Sequence, residues 1–377
     1  MLAQKANTPY NGTMKRALAQ RLRNIERALA DALPAQPTRS WMGTRLRVLA
    51  SEDTRVLRTV CNACVSCGGK RWRPLLLILS AELAHACVQC THRKLQGHKR
   101  KKISEREWYT LSAVVELIHT ASLLHDDIED HSSTRRGKPC AYLRYGTDCV
   151  LNAASWLYFH AHALIDTLSI EPALKAALFS ATISATRALH MGQALDIAWH
   201  RSPELIPSRA QYLRMVALKT GALIALSGEL GFLCAGYSAR EARSFGAQVM
   251  PIGIGFQILD DVQGIDGGVS GKAHADDIVE GKKSFPVILH VHTHPQDAPT
   301  FARLFAAARA EGLHSPAVKQ AQRILYSSEA LTHARAYGLR MIERTLTRVH
   351  AHFPCNPACQ LWCTAVQYGV RAHLHAH

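Results

Sequence analysis

The feature that most constrains this chain is a helical rhythm that runs through it almost without a break. Apolar residues recur at three- and four-residue spacing over about 74–90, 105–130, 147–168, 172–200, 208–235, 238–266 and 283–293, and several shorter helices follow to the end. No segment of any length alternates apolar and polar residues as a half-buried strand would. Upstream, Lys15 to Leu33 keeps the helical period until Pro34 and Pro37 stop it. A second amphipathic piece, about Trp41 to Ala63, leads into a turn at Gly68–Gly69. Many of these helices are apolar on more than one face, the pattern of helices buried inside a bundle. The expectation is one all-α domain over 14–377, with Met1–Thr13 as a flexible tail and a basic loop inserted at 90–104.

Within this rhythm the stretch Glu116–Pro139, ELIHTASLLHDDIEDHSSTRRGKP, carries three carboxylates in five residues. Asp126, Asp127 and Asp130 end an apolar helix, and residues four apart on a helix lie about 5 to 6 Å apart at Cβ, so Asp126 and Asp130 share a face. Paired oxygen ligands suit Mg2+ rather than zinc, because Mg2+ takes one or two carboxylates and completes its shell with water and phosphate. Arg135 and Arg136 follow at once, and a guanidinium fork matches phosphate oxygens. Metal plus polyphosphate is one reading; a solvated helix end before a Gly and Pro loop is the other, and these residues alone leave both open.

Four further motifs carry chemistry. Gly68-Gly69-Lys70-Arg71-Trp72-Arg73-Pro74 sets three cations in a glycine loop at a helix start, where backbone N–H groups favour an anion. Met191-Gly192-Gln193-Ala194-Leu195-Asp196 puts an amide and a carboxylate three apart in an apolar helix. Lys219-Thr220-Gly221 places an ammonium in another, where it needs an anion or a carbonyl partner. Phe256-Gln257-Ile258-Leu259-Asp260-Asp261 is a second apolar helix ending in paired acids, and two such helices facing one another form a bundle-core metal site. Downstream, Gly271-Lys272, Asp277 and Gly281-Lys282 form a loop able to close over that site.

Composition narrows the partners. The net charge of +16 and pI near 9.6 favour an anion, but the densest basic run, HRKLQGHKRKK at 92–102, has no aromatic residue interleaved, which argues for a surface loop and against nucleic acid. Apolar runs such as Leu75–Leu79 and Ala222–Leu226 fall short of the ~18 to 20 residues that span a bilayer. With no signal peptide visible, a cytoplasmic protein whose eleven cysteines are reduced is expected. Cys64, Cys67, Cys87 and Cys90 have zinc-ribbon spacing, yet a helix over Pro74–Ala86 would hold the two pairs roughly 18 Å apart. Cys355, Cys359 and Cys363 fit one side of a helix, and His290, His292 and His294 share no helical face.

Taken in order, GGKRWRP, LLHDDIEDHSSTRRGKP, GQALD, LKTG, FQILDD and DIVEGKKSFP resemble the motifs of the trans-isoprenyl (polyprenyl) diphosphate synthase family over roughly residues 65–290. The resemblance implies a single bundle of about a dozen helices around a deep central cavity, usually homodimeric. It implies that Lys70, Arg73, His119 and Arg136 hold the diphosphate of isopentenyl diphosphate. Asp126, Asp130 and Asp260 would hold Mg2+, three ions with substrate bound and replaceable by Mn2+, with Asp127 and Asp261 as supports behind them. Arg135, Lys272 and Lys282 would contact the allylic diphosphate, and Lys219, Thr220 and Gln257 would serve both that diphosphate and the developing cation.

The implied reaction is ionisation of the allylic diphosphate, attack by isopentenyl diphosphate, and loss of a proton to the released pyrophosphate. Ala121, five residues before Asp126, matches the family's chain-length gate. A small residue there, with Leu117 a turn further, predicts a medium or long all-trans chain. The second acid motif departs from DDxxD in ending at Gly264, a feature that points instead to a geranylgeranyl or farnesyl product. An inactive subunit of a heteromeric synthase is a third alternative. The basic loop suggests peripheral contact with an acidic membrane surface.

Overall fold

A computed structural model describes residues 12–37, 39–46, 48–50, 52–90, 103–266, 276–354 and 356–374. Residues 91–102 of the basic loop expected at 90–104, most of the N-terminal tail, Lys272 and Cys355 lie outside these. Helices make up the architecture, as the periodicity predicts. Trp72–Cys90 buries Leu76, Leu77, Ile78 and Leu79 in succession, and Glu105–Glu129 buries every residue from Leu111 to Ile118. Helices covered on all sides can lie only at the centre of a bundle.

Around them pack Gly12–Ala32, Thr147–Asp166, Pro172–His200 and Ala222–Cys234, and Ala239–Asp266 lies against Ala222–Cys234 and Ala330–His352. Serine caps set several helix starts. Ser104 accepts from Glu107 N–H while Glu107 accepts from Ser104 N–H, and Ser208 and Gln211 repeat the arrangement.

Three elements differ from expectation. The piece at 41–63 is two helices, Arg39–Leu46 and Arg55–Val65, broken by a turn in which Asp53 Oδ2 accepts from Ala50 N–H. Of the C-terminal helices, Ala298–Glu311 and Pro316–Ser327 are short as expected, whereas Ala330–His352 and Pro357–Leu374 run 23 and 18 residues. A two-residue hairpin pairs Thr134–Arg135 with Lys138–Pro139 around Arg136 and Gly137, both at positive φ, a turn suited to two-residue hairpins.

The segment Arg209–Cys234 continues through a π-turn, Ala217–Gly221, and so runs 26 residues. It is long and apolar enough to cross a membrane, unlike the short runs taken from the sequence. However, 67% of its most apolar window is buried against neighbouring helices.

Candidate active site

The last two turns of Glu105–Glu129 carry the first acids. Asp127 points inward, and Arg135 Nε donates to its Oδ1 at 2.7 Å while Arg135 Nη2 donates to Asp126 Oδ2 at 3.1 Å. Burial raises the Asp127 carboxyl above its usual range, and the guanidinium works against that rise. The hairpin makes this possible. Arg135 ends its strand facing the acids, while Arg136, in the turn at positive φ, reaches the glycine loop and donates to Gly68 O.

Across the cavity, Lys219 Nζ donates to Asp126 Oδ1 at 3.1 Å and to Asp196 Oδ2 at 2.5 Å. Burial opposes the ammonium charge, but Asp126 and Asp196 hold Lys219 well above the usual lysine range. Gly192 permits the approach: a Cβ there would stand 2.3 Å from the backbone nitrogen of Lys219. The π-turn, a bulge that often marks function, thus presses directly on the GQALD helix. Gln193 Nε2 donates to Asp126 Oδ1 at 3.2 Å and to Glu129 Oε2 at 2.7 Å. His200 lies 3.0 Å from Asp196 and 3.7 Å from Asp130. Burial opposes its charge, yet the two carboxylates raise it to about 9.

The second acid helix, Ala239–Asp266, supplies the opposite wall. Thr220 Oγ1 donates to Gln257 Oε1 at 2.8 Å, and Gln257 Nε2 donates to Asp261 Oδ1 at 3.1 Å. Asp261 Oδ2 accepts from Tyr212 Oη at 2.6 Å and from Phe285 N–H at 2.8 Å. Burial and the nearby Asp277 push Asp261 up to about 7 against those hydrogen bonds. Asp261 is therefore held inside, while the side chain of Asp260 is 44% exposed, 3.2 Å from His373.

The glycine loop divides its cations. Arg73 Nη1 donates to His119 Nε2 at 3.0 Å, and Arg73 Nε is buried without a partner among the described residues. Burial, then Arg73 and Arg136, hold His119 well below the usual imidazole range, so it is neutral and accepts. Arg71 turns into the core, bound to Glu26 and Glu116, and is a strut rather than a third phosphate cation. Lys70 is exposed at the rim, donating to Ala372 O at 3.4 Å.

These groups enclose a cavity of about 350 Å3. Arg73, His119, Asp126, Arg135, Arg136, Lys219, Thr220, Gln257, Asp260, Asp261 and Lys282 all line it, so most of the expected site residues converge there. Asp130 and Lys70 do not line it. Ala121 and Leu117, expected as the chain-length gate, are fully buried in helix packing, and Ser122 and Leu123 face the cavity with Tyr158, Leu189 and Leu223. Sequence reasoning also missed His200, although its spacing of four from Asp196 was visible, as well as Tyr212 and Glu129.

The donor set fits Mg2+. The acids offer only oxygen, and the Asp130 side chain is 3% exposed with Oδ2 lacking a partner among the described residues. Among those residues no group of three or more His, Cys, Asp or Glu gathers closely enough to enclose a metal. An ion here would complete its shell from water and substrate oxygens, as Mg2+ does.

Known proteins share this architecture. A polyprenyl synthase from Caulobacter crescentus, complexed with calcium and isoprenyl diphosphate, superposes with a TM-score of 0.74 at 23% identity, covering 96% of this chain and 97% of that one. A geranylgeranyl pyrophosphate synthetase from Pyrococcus horikoshii gives 0.75 at 22%, covering 94% and 97%. At such identities the likeness concerns the fold.

In sequence, geranylgeranyl pyrophosphate synthase 2 of Zymoseptoria tritici is 36% identical over 188 residues, 49% of this chain and 54% of that protein. The chain therefore matches about half of that relative's length. Geranylfarnesyl diphosphate synthase of Aeropyrum pernix is 35% identical over 234 residues, 60% of this chain and 68% of that protein. The polyprenyl synthetase profile matches residues 54–323, a span that contains every expected site residue, and the chain belongs to the polyprenyl synthetase family.

Proposed function

We propose that the protein is a Mg2+-dependent prenyltransferase that adds isopentenyl diphosphate to an allylic diphosphate. The observation that carries this reading is the division of the cavity cations into two groups. Arg135, Lys219 and Lys282 are hydrogen bonded to the carboxylates of Asp126, Asp127, Asp196, Asp277 and Glu280. Arg73 and Arg136, about His119, bond to a ring nitrogen and a backbone carbonyl instead. One anion can thus be met by carboxylates, metal and cations together, and a second by cations alone.

Asp126, Asp130 and Asp260 would hold Mg2+, which when bound neutralises diphosphate charge. Arg135 and Lys219 orient Asp126, and Tyr212 and Gln257 orient Asp261. Donors fixed before reaction stabilise the departing pyrophosphate without reorganisation. The allylic C–O bond breaks, the isopentenyl double bond forms the new C–C bond, and a proton passes to the released pyrophosphate. Thr220 and Gln257 line the cavity and would face the reacting carbons, with Leu189, Leu223, Met215 and Val216 as apolar lining that would keep water away.

A short product of twenty to twenty-five carbons is better supported than the medium or long chain expected from Ala121. The two relatives above are named for such products, and the cavity is near the small end of the ~300 to 1,000 Å3 typical of ligand pockets. Homodimerisation is supported by exposed apolar residues on adjacent helices, Leu151 and Phe159 on one and Ile183 and Met191 on the next. Light scattering should give twice the chain mass, and Phe159→Glu should halve it.

Steady-state kinetics test the division of cations. Arg73→Ala should raise KM for isopentenyl diphosphate and Arg135→Ala that for the allylic substrate. Both variants raising the same KM would overturn it.

A further inference from the structure

The loop that carries Lys282 into the cavity is held from behind. On its inner side Lys282 Nζ donates to Asp277 Oδ1 and to Glu280 Oε2, each at 3.3 Å, and Ser132 Oγ donates to Glu280 Oε1 at 3.4 Å. Behind it lies Ala298–Glu311, a helix beyond the span of the sequence motifs, on which the short helix Asp276–Val279 packs. Arg309, near the end of that helix, does not line the cavity. Its Nη2 donates instead to Glu280 O at 2.5 Å and to His200 O at 3.2 Å.

The two carbonyls belong to separate parts of the site. Glu280 stands two residues before Lys282. His200 is the last residue of Pro172–His200, the helix whose Asp196 accepts from Lys219, and its ring lies beside Asp196 and Asp130. The last carbonyls of a helix lack partners within it and carry partial negative charge, so a guanidinium there is a favourable and directional partner. The loop is shaped to receive it: Gly281 stands at φ +73°, and a Cβ built on it would lie 2.8 Å from Arg309 Nη2. Lys283 continues the same seam, its Nζ donating to Pro203 O at 3.2 Å and lying 4.5 Å from the centre of the Phe305 ring.

We infer that Arg309 is a positioning residue: by bridging the carbonyls of His200 and Glu280 it fixes the seat of Lys282 relative to the acids at the end of the Pro172–His200 helix. This rests on the reading above in which Lys282 meets the allylic diphosphate. A helix that merely packs on the bundle makes a different prediction. Its loss of one exposed arginine would leave both KM values alone, or would lower stability and raise both together.

The test is steady-state kinetics of the full chain with Mg2+, farnesyl diphosphate and isopentenyl diphosphate, beside melting curves. Arg309→Met should raise KM for farnesyl diphosphate by about tenfold, within what a displacement near 1 Å can cost. KM for isopentenyl diphosphate should change by less than about twofold, and the melting temperature by less than about 2 °C, as for an exposed side chain. Arg309→Lys, whose ammonium can donate to both carbonyls, should recover most of the rise. Arg303→Met, on the same helix and bonded to Thr300 within it, should leave both KM values unchanged.

An unchanged KM for farnesyl diphosphate in Arg309→Met would overturn the inference, as would an equal rise in both KM values that Arg309→Lys does not reverse. If Arg309→Met does not fold, the shorter Arg309→Gln, which cannot span both carbonyls, is read by the same split. A wild-type chain that gives no product would overturn the proposed function and this inference with it. A wild type that turns over beside an unaltered Arg309→Met overturns this inference alone.

Discussion

Lys219 Nζ lies between Asp126 Oδ1, at 3.1 Å, and Asp196 Oδ2, at 2.5 Å, so that one ammonium ties together three helices of the bundle. Lys219→Met removes the cation between the two carboxylates and leaves Asp126 with Arg135 and Asp196 with His200. Removing one partner of a buried ion pair costs about 3 to 5 kcal/mol, and the lower end applies because the Lys219 side chain is 19% exposed. Urea unfolding should show that loss together with collapse of turnover. Unchanged stability would mean the carboxylates separate freely.

His119 makes stability depend on pH. Its folded pKa is depressed by burial and by the neighbouring guanidinium groups, whereas an unfolded histidine titrates near ~6.5. The unfolded state therefore binds the extra proton first, and stability present above that pH is lost as pH falls below it, by up to about 1.4 kcal/mol per unit. Melting curves of the substrate-free protein should show the advantage of wild type over His119→Gln shrinking from pH 7 to pH 5. A constant difference would contradict the depressed value.

Ser122 faces the cavity, while Ala121 beside it is fully buried. Ser122→Phe should shorten the product or hinder longer primers. Ala121→Phe should act by overpacking, lowering stability by about 1 to 3 kcal/mol. Product chromatography beside a melting curve separates the two, and a shortened product from Ala121→Phe in a stable protein would restore the gate to that residue.

Arg71 anchors the glycine loop through Glu26 and Glu116, the latter with a side chain 3% exposed. Arg71→Met strands the Glu116 charge and should cost about 3 to 5 kcal/mol, whereas Lys70→Met, at the exposed rim, should leave stability within about 0.5 kcal/mol. Equal effects in chemical denaturation would contradict these assignments.

How much of this was legible in the sequence depends on the range of the interaction. The long helices of the first 300 residues followed from apolar spacing, since each buries a face its own pattern defines, whereas the break between Leu46 and Arg55 did not. The acid ends of two helices and the cations near them were legible for the same local reason. Pairings across the bundle were not. Nothing local says that Arg71 turns inward while Arg73 meets His119, or that Arg135 and Arg136 part at a hairpin. The closeness of Gly192 to Lys219 depends on two helices more than twenty residues apart. Ala121 was singled out by the family resemblance, and nothing local says that Ser122 beside it faces the cavity.

The most direct test of the central claim is incubation of the pure protein with Mg2+, farnesyl diphosphate and labelled isopentenyl diphosphate, followed by chromatography of the product by chain length. A labelled product of twenty to twenty-five carbons, dependent on Mg2+, is predicted. No product from the protein alone would contradict the catalytic reading, and products of thirty carbons or more would contradict the short cavity.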